Sequence, residues 1–133
     1  MLSEPQFADS LPLLVAKDML IFRSTVLASD GDLEGAFGAA EKIERLAKEN
    51  AVVWYDAARC YSICSDTSGL TKTSDGETAV EVRQRCTNAA LRCLSKAIDC
   101  GFKNLARLQI DPDLKSLRGN REFQSLLKRI GKT

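Results

Sequence analysis

Two stretches of interleaved small and large residues constrain this 133-residue chain more than anything else in it. Trp54-x2-Ala57-Ala58-x2-Tyr61 sets alanines and aromatics at helical spacing, and Ala90-x3-Leu94-x2-Ala97 does the same further on. Alanines on one helix face let two backbones approach closely, while the large side chains fill the space between turns. The fold must bring these two helices together although 29 positions separate Tyr61 from Ala90.

The rest of the composition fits such a helical core. Three prolines and eight glycines favour long helices over many short strands, and 44% hydrophobic with 28% charged residues is a globular balance. The length suits one domain spanning 1–133. Formal charge is only +1, so nothing in bulk electrostatics points to nucleic acid or a membrane. Charge is unevenly spread, however: residues 1–100 carry 11 basic and 15 acidic side chains, and residues 101–133 carry 8 and 3. The basic end either complements helix dipoles or offers a surface to an acidic partner.

Histidine is absent. Its absence removes imidazole bases, histidine-activated nucleophiles and histidine-containing zinc sites together. No Gly-x-Gly-x-x-Gly or Gly-x4-Gly-Lys loop and no kinase signature is present, so no cofactor is expected. The apolar run Leu11–Leu27 is broken by Lys17, Asp18 and Arg23, and the residues before it include Glu4 and no base. Neither a membrane span nor a secretory signal reads that way. Five cysteines without tight pairing motifs suit a reducing compartment, and a cytoplasmic location is expected.

Along the chain, a first helix is expected from near Pro12 to Ser29, apolar over a wide arc that takes in Leu13, Leu14, Met19, Leu20, Phe22, Val26 and Leu27. Ser29–Asp32 forms a turn with Asp32 as cap, and Leu33 to about Glu49 makes a second helix that Asn50 closes. A third helix takes Ala51 to about Cys64, and a polar loop covers 66–77. A fourth helix runs from about Thr78 to Asp99 and ends at Gly101. Shorter pieces follow: Phe102–Gln109, a segment opened by Asp111-Pro112, and a last helix capped by Asn120.

The two stripes resemble the first and second helices of a tetratricopeptide (TPR) unit, with about twenty residues inserted between them. Counting back 34 residues sets Ala36, Ala40 and Ile43 on the corresponding markers of a preceding unit. Leu108-x2-Asp111-Pro112-Asp113-Leu114-x2-Leu117-Arg118-x4-Phe123-x2-Leu126-Leu127 resembles the closing segment of TPR regions attached to bacterial eukaryotic-like Ser/Thr protein kinases. The resemblance implies an all-α fold: TPR-like helical hairpins (an α-α superhelix) with a C-terminal helical cap. Its parts are a leading hairpin at 12–50, a second hairpin at 51–100 with the insert, and the cap at 101–133.

It also implies a groove for an extended protein or peptide partner, lined by the outer face of the third helix. The partner-binding candidates there are Val52, Tyr55, Arg59 and Ser62, with Tyr55 offering stacking area and Arg59 a carboxylate contact. Self-association as a homodimer would cover the ends of so short an array. Cys86, Cys93 and Cys100 recur every seven residues, opposite Cys60 and Cys64. Core packing, a thiolate metal site and a reactive thiol are the readings of that set, and no metal ligand is assigned. Arg118 either contacts an anion or ties the tail to helix-end carbonyls or Asp113. Thr67, Ser68, Thr71, Thr73 and Ser74 could accept phosphate.

The expected function is a non-catalytic protein–protein interaction module within or beside a larger bacterial signalling protein such as a Ser/Thr kinase. The alternatives are an enzyme with a reactive cysteine, or nucleic-acid binding through the basic C-terminal segment.

Overall fold

The computed structural model describes the backbone of residues 4–67 and 79–131 and the side chains of 14–66 and 80–131. These residues form α1 (Glu4–Ser29), α2 (Leu33–Ala47), α3 (Ala51–Thr67), α4 (Ala79–Asp99), α5 (Leu105–Ile110), a 3-10 segment (Pro112–Leu117) and α6 (Arg121–Gly131). The fold is all-α, and its first four helices pack as adjacent antiparallel pairs: α1 on α2, α2 on α3, α3 on α4. The 3-10 segment lies along α3, while α6 packs on α4 and α5.

The small-residue stripes meet as their chemistry requires. Ala57 and Ala58 on α3 and Ala90 and Ala97 on α4 are all fully excluded from solvent, as are Ala36 and Ala40 on α2. Tyr61 joins the three helices: its ring meets Phe37 edge-on at 4.9 Å, and its hydroxyl donates to Glu44 Oε1 at 2.8 Å. Arg92 on α4 grips the same carboxylate at 2.7 Å. Trp54 is only partly buried, and its indole N–H donates to the Lys48 carbonyl at 2.7 Å. The tail contributes Leu108, Leu114, Leu117, Phe123, Leu126 and Ile130 to the same core. Each such burial is worth about 1.5–3 kcal/mol, so the tail is an integral layer.

Turn chemistry sets the boundaries. Asp32 accepts from the Gly35 N–H at 2.9 Å to start α2, after Gly31 turns the chain at φ +87°. Gly101, at φ +109°, reverses it after α4. Asp111 caps the 3-10 segment with Pro112 in its opening turn, and Asn120 caps α6.

Four boundaries differ from the sequence expectation. α5 starts at Leu105, not Phe102, because the Asn104 side chain accepts from the Arg107 N–H and caps it there. α1 starts at Glu4, not near Pro12, because Pro5 occupies the opening turn, where a missing N–H costs no bond. Pro12 is carried inside the helix. Asn50 does not close α2, which ends at Ala47; it accepts from the Val52 and Val53 N–H groups and so starts α3. α3 runs past Cys64 to Thr67, held by a Ser65–Thr87 hydroxyl bond of 2.9 Å and an Asp66–Lys115 ion pair of 3.4 Å. The remainder of the 66–77 loop, with its candidate phosphate acceptors Ser68, Thr71, Thr73 and Ser74, lies outside the described residues.

Candidate protein-docking surface

The four groove residues on α3 do not share one environment. Val52 is exposed and Arg59 half-buried, whereas Tyr55, 1% exposed, and Ser62 are buried. The reason is the tail. Tyr55 stacks on Phe102, with ring centroids 4.6 Å apart and planes 9° from parallel, and its hydroxyl donates to Asp111. The Arg107 guanidinium sits 4.9 Å above the same ring. Ser62 shares a 2.9 Å hydroxyl bond with Ser116 of the 3-10 segment. The stretch of α3 assigned to an extended peptide is thus covered by the chain's own tail, Tyr55 by Phe102, Arg107 and Asp111 and Ser62 by Ser116.

Arg59 does meet carboxylates, as its chemistry suggests, but internal ones. Its Nη1 lies 2.8 Å from Asp56, and its Nε and Nη2 lie 3.1 Å from Asp113. Lys17 on α1 reaches Asp56 at 3.1 Å. Burial alone would lower the pKa of Arg59, but the hydrogen bond to Asp113 and the surrounding carboxylates raise it. For Asp111, burial pushes upward, and the Tyr55 hydroxyl, the Asp113 N–H and two guanidinium groups outweigh it, holding the carboxyl below its ordinary value. The network locks tail to α3 and α3 to α1. A shallow groove remains between α1 and α3, edged by Phe22, Asp18, Val52 and Arg59.

Beyond Phe22, the outer side of α1 is left uncovered by the described residues. On the outer side of α1, Phe22 is 72% exposed, Met19 67%, Val15 56% and Val26 40%. The inner side is used: Leu20 and Ile21 pack on the main core, and the Ser24 hydroxyl donates to the Ala36 carbonyl at 2.9 Å. Among the described residues α1 is therefore apolar on both sides with a neighbour on one. The breadth of its apolar arc was the signal in the sequence, since a helix covering a core from one side needs only a stripe.

Most of the other described candidates are engaged inside the fold. Cys60, Cys64, Cys86 and Cys93 are buried, and Cys100 is partly exposed. Burial pushes the Cys60 thiol up to about 12 and raises that of Cys93, opposite to the shift a thiolate nucleophile requires. The Cys64 thiol is raised through its hydrogen bond with Cys86 and its burial. No group of three or more potential metal ligands stands together among the described residues. In the basic tail, Arg118 donates to the Asp111 carbonyl, Arg107 lies 3.6 Å from Asp111, and Arg129 lies 2.6 Å from Asp99. Among the described residues no helix is long and apolar enough to cross a membrane.

Comparison with family models, with characterised proteins and with solved structures finds no match for the chain.

Proposed function

We propose that the chain is a non-catalytic protein–protein interaction module: a TPR-like pair of helical hairpins, closed by a C-terminal cap, that docks a partner on α1. One observation carries this reading: four large apolar side chains, Val15, Met19, Phe22 and Val26, stand exposed along one line of one helix. A contiguous apolar patch of this kind marks interaction surfaces. The antiparallel hairpins and the alanine contacts between them agree with the TPR-like reading. The place within or beside a bacterial signalling polypeptide such as a Ser/Thr kinase rests on the resemblance of the closing segment alone.

A photo-cross-linking amino acid at position 22, in the cell that makes the protein, tests the reading. A discrete protein adduct is expected from position 22, and none from the exposed Gln109 on α5. Absence of any adduct from position 22, with the protein folded and abundant, would overturn it.

A further inference from the structure

We infer that the occupant of the α1 face is a second copy of this chain, bound with its own α1 parallel and in register. The inference rests on the reading of α1 as a docking surface and adds the identity and orientation of what docks.

Val15, Met19, Phe22 and Val26 follow one another at steps of four, three and four. That is the alternation of the two core positions of a heptad, and it keeps a seam on one side of a helix pair. With about 100° per residue, Asp18 lies about 70° to one side of the seam and Arg23 about 70° to the other. Both are exposed. Asp18 contacts Lys17 Nζ at 3.3 Å, yet its side chain is 72% exposed, which leaves its carboxylate capacity for a second cation.

These flanks decide orientation. In a parallel pair related by a two-fold axis along the helices, each flank faces the opposite flank of the other copy. Asp18 then lies beside the second copy's Arg23, five residues further on, the spacing of cross-seam ion pairs, and the symmetry makes two such pairs. An antiparallel pair instead sets like flank against like flank, Asp18 towards Asp18 and Arg23 towards Arg23. The seam accepts either orientation; the charges favour the parallel one.

The test uses the full chain in a Cys100→Ser background, so that the partly exposed thiol is removed. Light scattering should give twice the chain mass, and Val15→Cys alone should form an intermolecular disulfide on mild oxidation. In an antiparallel pair centred on the seam, the two Val15 positions would lie about 16 Å apart along the axis and could not bridge. Mixed Val15→Cys and Val26→Cys chains would then cross-link to each other instead. Asp18→Arg should weaken association about tenfold, and Asp18→Arg combined with Arg23→Asp should restore it.

Phe22→Asp should abolish dimerisation while the helical circular dichroism spectrum is retained. A single-chain mass at concentrations of ~100 μM overturns the proposal, as does the antiparallel cross-linking pattern or failure of the charge exchange to restore. The position-22 adduct separates the two readings. An adduct with a different protein ends self-association and leaves the docking surface standing, whereas no adduct removes both.

Discussion

α1 and α3 are both rich in apolar residues, yet they end in opposite situations. α3 is covered on every side that carries a large side chain except at Val52 and Trp54: α2 and α4 take Tyr61 and the alanines, and the tail takes Tyr55 and Ser62. α1 is covered by α2 and part of α3, and its outer line from Val15 to Val26 meets solvent. The difference lies in what the rest of the chain supplies. Residues 101–133 provide Asp111, Asp113 and Ser116 to match the polar groups of α3, and no described segment matches α1. An apolar helix face that the chain covers is core; one that it leaves bare is a candidate interface.

That contrast can be broken most directly by truncation at its buried end. Tyr55→Ala removes a buried ring, its stack on Phe102 and its bond to Asp111, and should cost about 3–5 kcal/mol in urea unfolding. A cost under about 1 kcal/mol would mean that the tail does not close over α3. Asp111→Asn should cost about 1–3 kcal/mol, because the carboxylate serves Tyr55, the Asp113 N–H and two arginines.

The same residue predicts a pH dependence. Its folded-state pKa lies below the unfolded value of about 3.9, so its contribution is fully present above that value. As pH falls through the folded pKa the contribution is lost. Urea midpoints measured from pH 6 to pH 2 should fall less steeply for Asp111→Asn than for the parent chain. Tyr61→Phe should cost less, about 0.5–1.5 kcal/mol, since Glu44 keeps its ion pair with Arg92 and no buried group is left unmatched. Paired urea curves separate the two tyrosines, and equal costs for Tyr61→Phe and Tyr55→Ala would erase the distinction.

Much of this was legible in the residues. The alanine stripes predicted the α3–α4 contact across the insert, and Asp32, Gly101, Asp111-Pro112 and Asn120 punctuate the chain where expected. Arg118 holds the tail through the Asp111 carbonyl, one of its two structural readings. What sequence reasoning missed is long-range. Val52, Tyr55, Arg59 and Ser62 form a regular stripe, and a stripe states that something covers it without stating what. The tail's Asp111, Asp113 and Ser116 were the complement to Tyr55, Arg59 and Ser62, 54 to 56 residues away. Local propensity carries no record of such pairings. The bare side of α1 had a local trace, an apolar arc too wide for one neighbour, but the sequence could not show which part of that arc α2 would use.

The smallest expected effect is also the one that bears most on function. Phe22→Ala should change the stability of the isolated chain by no more than about 0.5 kcal/mol, because the ring is 72% exposed and its loss opens no cavity. The measurement belongs at low protein concentration, since any assembly through α1 would add stability by mass action and disguise the result. A urea midpoint that moves only at high concentration identifies Phe22 as an interface residue. An unfolding free energy that falls by about 2 kcal/mol or more even in dilute solution would instead make Phe22 part of the core, and α1 would then differ from α3 in degree rather than in kind.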